Sequence, residues 1–232
     1  MIDAGTVAAG LERVRDRIAD AGGDPGAVAV VAVTKGFGAE APLAALGAGL
    51  ADLGENYAQE LLEKAAAVDD AGAPAPRWHF IGRLQSNKVR LLADRIACWQ
   101  SIDRPSLVDE LARRAPGARL LVQVDAAGEE GKGGAALQDV PDLVARARDA
   151  GLQVTGLMAV GVAGDEAATE GAFARTAALA DRLGLPERSL GMSGDLAAAV
   201  RAGTTMVRVG TALFGPRPGP GHSQRARPPV RD

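Results

Sequence analysis

Apolar positions along this chain recur with two different periods. In residues 6–21, Val7, Leu11, Val14 and Ile18 fall three or four apart with charged residues between them, the spacing of an amphipathic helix. Residues 27–33 then read AVAVVAV, a β-branched run without polar alternation, which is the pattern of a strand covered on both faces of a parallel sheet. The two patterns alternate from there to the end. Further strands are expected at 51–53, 77–82, 97–103, 119–125, 153–160, 189–191 and 205–210. Helices are expected between them at 39–48, 57–68, 87–94, 106–114, 140–150, 166–183 and 196–202, with a short one at 212.

Eight strands each followed by a helix predict a single-domain α/β protein, a (β/α)8 TIM-type barrel with an extra N-terminal helix. A doubly wound open sheet is the runner-up. The N-terminal helix is assigned to closing the bottom of the barrel. The barrel is expected to take residues 1–215, and the segment 216–232, PRPGPGHSQRARPPVRD, is read as a disordered tail because it is rich in proline and arginine and has no apolar anchor.

Composition narrows the function. With 47% hydrophobic and 24% charged residues in 232, the chain is expected to be globular and soluble. Its 26 basic and 29 acidic side chains leave a net charge of −3, so no nucleic-acid partner is expected. The longest apolar run, 27–33, is far short of the roughly 20 residues that cross a bilayer, and Asp3, Glu12 and Asp16 do not suit a signal peptide. A cytoplasmic protein without a membrane partner is expected. Cys98 is the single cysteine, and with only His79 and His222 besides, no metal site is expected.

In such a barrel the chemistry sits at the carboxyl ends of the strands. Thr34-Lys35-Gly36 follows the first strand and Gly54-Glu55-Asn56 the second. His79 to Gly82 run through the third, Ser101 and Asp103 end the fourth, Gly191-Met192-Ser193 follow the seventh, and Arg208 to Thr211 end the eighth. Lys35 stands after seven apolar residues, where partial desolvation lowers an amine's pKa and makes it a nucleophile able to form a Schiff base. A lysine at a strand end can equally snorkel to solvent. The loops after the last two strands, GMSGD and RVGTALFG, combine Gly191, Gly194 and Gly210 with the hydroxyls of Ser193 and Thr211, a composition that cradles phosphate at helix N-termini. Either hydroxyl taken alone reads as a helix cap. Together with an aldehyde-condensing lysine, the two loops suggest pyridoxal 5′-phosphate (PLP).

The segments VTKG, LGENYAQE, WHFIGRLQSNK, SID, GLMAV, LGMSGD and TMVRVGTALFG, in this order over residues 28–215, resemble the pyridoxal phosphate homeostasis protein family, which is similar in fold to the barrel domain of alanine racemase. The resemblance implies a fold type III-like barrel in which Lys35 carries PLP as a Schiff base. It further implies that Ser193, Gly210 and Thr211 hold the phosphate and that Arg208 faces the pyridine nitrogen. Asn56 and the strand around His79 to Ile81 would line the ring, and Met192 would also contact the cofactor. Gly194 departs from the acidic residue common at that position. Lys132, in the loop GEEGKGG with Glu129 and Glu130, receives no role, and Lys88 is placed near the cofactor entrance.

Beside a ring nitrogen, Arg208 would disfavour protonation and leave the cofactor a weak electron sink. Racemases of this fold type add a tyrosine from another domain. The one tyrosine here, Tyr57, reads as a core or rim aromatic or as a base. The expected function is a PLP-binding protein with little or no turnover, acting in PLP homeostasis and amino- and keto-acid balance, as a monomer or weak dimer, with PLP-dependent apoenzymes as recipients. The alternatives are a PLP-dependent amino-acid racemase whose second base comes from a partner subunit, and a phosphate-binding barrel isomerase without PLP.

Overall fold

The computed structural model describes residues 2–128 and 133–217. The loop residues Glu129, Glu130 and Lys132, and the tail from 218 onward, lie outside the described residues. The chain opens with α1 (Ala4–Asp20), then β1 (Ala29–Val33), α2 (Glu40–Gly47), β2 (Asp52–Glu55), α3 (Ala58–Asp70), β3 (Arg77–Phe80), α4 (Ser86–Leu92) and β4 (Ile96–Ile102). It continues with α5 (Pro105–Arg114), β5 (Arg119–Asp125), β6 (Ala135–Ala136), α6 (Val140–Asp149) and β7 (Gln153–Ala159). The last elements are α7 (Glu166–Arg182), β8 (Glu187–Leu190), α8 (Leu196–Arg201), β9 (Met206–Val209) and α9 (Thr211–Phe214).

The strands pair in the order β4-β3-β2-β1-β9-β8-β7-β5, and a further β4–β5 pairing closes the ring. All pairings are parallel. This closed eight-stranded barrel replaces the open sheet as an alternative. The two-residue β6 is an addition that the apolar pattern did not predict. It extends the end of β5 by pairing Val124 with Ala135.

Alternation along each strand sorts side chains to two places. Trp78 and Phe80 of β3 point outward into the layer between barrel and helices, as do Leu120 and Val122 of β5 and Val207 and Val209 of β9. His79, Cys98, Leu121, Met158 and Arg208, one residue out of step, fill the barrel interior. The outer layer is the larger core and contributes most of the hydrophobic stabilisation.

α1 does not cap the bottom of the barrel. Asp3 caps it by accepting from Thr6 N–H at 2.8 Å, and its buried face of Val7, Leu11, Val14 and Ile18 packs along the side of the barrel against α2, α8 and α9. It completes the outer ring where α9 is only four residues long. The approach requires glycine at position 10, since a Cβ there would sit 2.7 Å from the Ala212 carbonyl oxygen. Among the described residues no helix is long and apolar enough to cross a membrane.

Candidate functional site

A cavity of about 430 Å³ opens at the carboxyl ends of the strands, within the range of small-molecule cofactor sites. Lys35, Asn56, Ile81, Met192, Ser193, Arg208, Gly210 and Thr211 all line it, with Val33, Met158, Val160, Gly194 and Arg217. Eight of the nine residues read from the sequence are therefore brought together. His79 is not among them. It lies deeper in the barrel, where its two ring nitrogens are engaged by Asp52 Oδ1 at 3.0 Å and Gln100 Nε2 at 2.7 Å.

Lys35 follows β1 and is half-buried. Burial lowers its pKa, and the positive charges of Arg217 and Arg208 lower it further, while Glu55 works in the opposite direction. The amine is thereby shifted toward the nucleophilic form. Arg208 forms part of the cavity floor and is buried. Its Nη1 donates to the carbonyl and hydroxyl oxygens of Ser189 at 2.6 and 2.7 Å, and its Nη2 donates to the Ala159 carbonyl at 2.8 Å. Burial pushes its pKa down to about 10, with Asp195 opposing, so the guanidinium stays cationic at neutral pH.

The opposite wall is formed by the loops after β8 and β9. Neither hydroxyl caps a helix: the cap position of α8 is Asp195 and that of α9 is Gly210, and Thr211 is the first residue of α9. Asp195 instead accepts from Met192 N–H at 2.5 Å, which ties the β8–α8 loop into a turn beside Ser193. Arg17 of α1 donates to the Ser193 carbonyl at 2.8 Å from outside. The first N–H groups of α9 have no carbonyl of their own helix to donate to, and they present donors to an anion. Gly210 keeps the approach open, since a Cβ there would come within 3.2 Å of the Val33 carbonyl oxygen.

The residues fit a phosphate-bearing aldehyde. Lys35, Arg208 and Arg217 line the cavity and no carboxylate does, among the described residues. Asn56 contributes a buried Oδ1 without a hydrogen-bond partner there. In that arrangement Ser193, Gly210 and Thr211 would hold the phosphate, Lys35 would meet the aldehyde and Arg208 the ring nitrogen. Bound PLP would supply the electrophilic aldehyde that the twenty side chains lack.

Tyr57 is a rim residue. It is 59% exposed, at the start of α3, and lines a neighbouring cavity of about 650 Å³ with Arg83, Lys88 and Arg104. Asn56 borders both cavities. Ser86 is the first residue of α4.

Sequence reasoning missed two groups. Arg217 lies in the segment read as tail, yet it lines the cavity and approaches Gly36. A lone arginine among prolines carries no signal of that position. Lys64 and Glu60 of α3 receive no role from the sequence, but the lysine is 4% exposed and reaches back to the β1 loop. The faint signal was a lysine in phase with Leu61 and Val68 on the buried side of that helix.

Fold and site together define an alanine racemase-type barrel, and the family model described as alanine racemase, N-terminal domain, matches residues 2–218. The chain is 41% identical over 213 residues to the pyridoxal phosphate homeostasis protein of Pseudomonas aeruginosa, covering 88% of this chain and 91% of that one. It is 37% identical over 227 residues to the protein of the same name from Escherichia coli, covering 91% and 97%. The solved structure of PipY from Synechococcus elongatus with PLP bound superposes with a TM-score of 0.74 at 32% identity, covering 87% of this chain and 100% of that chain. The chain belongs to the pyridoxal phosphate homeostasis protein family.

Proposed function

We propose that this protein holds PLP as a Schiff base on Lys35 and takes part in the cytoplasmic balance of PLP and of amino and keto acids, with little or no turnover. The observation that carries the reading is the pairing of a half-buried lysine with a buried arginine across one cavity that no carboxylate lines, among the described residues. The relatives' shared name and the PLP bound to PipY support the choice of ligand. In the bond-forming step the Lys35 Nζ lone pair adds to the aldehyde carbon, and water leaves as the C=N bond forms.

The weak catalysis follows from two features. A guanidinium beside the ring nitrogen withholds the proton that makes PLP a strong electron sink. Tyr57, the one tyrosine of the chain, lines the adjacent cavity rather than this one. PLP-dependent apoenzymes are the recipients this reading calls for, with the carrier a monomer or weak dimer.

The test is to record the visible spectrum of the purified protein with PLP, reduce with borohydride and locate the modified lysine by peptide mass, with Lys35→Ala as control. A visible band with the label on Lys35 supports the reading. A colourless protein, or label scattered over other lysines, overturns it, and amino-acid α-proton exchange in heavy water at enzymatic rates would replace the carrier with a racemase.

A further inference from the structure

Beside Lys35 lies a largely buried ionic cluster that the cavity itself does not use. Lys64 Nζ donates to Glu55 Oε2 at 2.6 Å, to Glu60 Oε2 at 2.9 Å and to the Thr34 carbonyl at 2.8 Å. These three oxygens account for the three N–H bonds of an ammonium. Glu55 is fully buried. Its Oε2 also accepts from Thr34 Oγ1 at 3.1 Å, and its Oε1 accepts from the N–H groups of Asn56 at 2.7 Å and Tyr57 at 3.4 Å. Glu60 Oε2 accepts in addition from Gly36 N–H at 2.9 Å.

The two residues that flank Lys35 are thus both tied to this cluster. Thr34 is held through its carbonyl by Lys64, and Gly36 through its N–H by Glu60. Gly36 has φ +74°, a left-handed turn that only glycine adopts without strain, and the bond to Glu60 secures it. A buried ion pair of this kind adds little net stability over an apolar filling of the same volume, so stability alone does not explain it. Two carboxylates against one ammonium also leave a negative charge near the next cation, Lys35.

We propose that Lys64 and Glu60 are positioning residues for Lys35: they clamp the backbone on both sides of it and, with Glu55, set the charge its amine experiences. This rests on the reading that Lys35 is the residue that bonds PLP. The charged groups that act on Lys35 are Arg217 from the C-terminal segment, Glu55 from β2 and Arg208 from β9, while Glu60 and Lys64 from α3 reach it through the backbone of Gly36 and Thr34 and through their bonds to each other and to Glu55.

The experiment uses the full-length protein without PLP. Formaldehyde and cyanoborohydride methylate Lys35 across a pH series, with its extent read by peptide mass, in wild type, Glu60→Gln and Lys64→Met. The rate at which the visible band forms on PLP addition is measured in parallel. Lys64→Met leaves two carboxylates unneutralised, so the midpoint of Lys35 reactivity moves to higher pH and the rate at neutral pH falls about tenfold or more. Glu60→Gln removes one negative charge and moves the midpoint to lower pH. Placed in a Lys35→Ala background, both changes leave noncovalent PLP affinity unaltered. Opposite shifts support the proposal; midpoints equal to wild type, or shifted in the same direction, overturn it. Should Lys64→Met fail to fold, Glu60→Gln, at a part-exposed side chain, decides alone by the direction of its shift. If wild type methylates at Lys35 but gives no PLP band there, the cofactor reading fails while the clamp is still judged on the midpoints.

Discussion

Arg208 donates twice to Ser189, at 2.6 Å to its carbonyl oxygen and 2.7 Å to its hydroxyl, and that hydroxyl in turn donates to Gln100 Oε1 at 2.7 Å. Gln100 Nε2 meets His79 Nδ1 at 2.7 Å, and His79 Nε2 meets Asp52 Oδ1 at 3.0 Å. Asp52 closes the line with Arg77 at the opposite end of the barrel. A continuous polar chain therefore runs from the cavity floor through the barrel interior. Ser189→Ala removes its second link and leaves Gln100 Oε1 without its donor. The expected cost is about 1–3 kcal/mol of stability, measured by urea unfolding, because a buried acceptor loses its partner.

The other end of the chain titrates. Burial pushes the Asp52 carboxyl up, but hydrogen bonds from His79 and Arg77 and their charges outweigh it and hold it well below its ordinary value of 3.8. A carboxyl depressed in the folded state contributes stability that is present above its unfolded pKa and is lost as pH falls through the folded one. Unfolding free energy is thus expected to fall below about pH 4, and Asp52→Asn to flatten that acid limb. Equal acid limbs in wild type and variant would count against the assignment.

Cys98 sits in the barrel interior with Leu121 and Met158. Burial pushes its thiol up to about 12, with Arg119 opposing. A thiol-specific disulfide reagent is expected to leave it untouched in the native protein and to label it on unfolding. Labelling at the native state faster than global unfolding would mean that the barrel opens locally.

Arg217 bears on Lys35 by charge. Arg217→Ala is expected to raise the pH at which Lys35 reacts with amine reagents, because a neighbouring positive charge is removed. The same variant should weaken PLP binding, since one of three cations lining the cavity is lost. Reactivity profiles and PLP titrations of the two proteins test this directly.

Backbone space predicts a further effect at Gly82. A Cβ there would lie 2.2 Å from the Asn56 carbonyl oxygen and 2.6 Å from its Cα. Gly82→Ala is expected to displace Asn56 from the cavity wall, which lowers both thermal stability and PLP affinity. Unchanged values for both would show that the β2 loop shifts without consequence.

Much of this molecule was legible in the order of its residues. The apolar runs determined the eight barrel strands to within a few residues, because a strand covered on both faces has no polar alternation to confuse it. Lys35 stood out because it ends such a run, and the glycine-rich loops stood out because close backbone approach needs glycine. Eight of the nine chosen site residues line one cavity for the same reason: parallel strands deliver their carboxyl ends to a single face.

What the tertiary structure alone decided is which polar side chains turn inward and whom they meet. His79, expected to line the ring, is set instead by barrel closure between Asp52 and Gln100. Lys64 meets its partners only because α3 packs it under the β1 loop. Arg208 and Ser189, or Gln100 and Ser189, are far apart along the chain, and no local period encodes their meeting. A strand's period of two states only that a residue faces one side or the other. The partner on that side is supplied by the closure of the sheet, and a buried polar group that finds none costs stability.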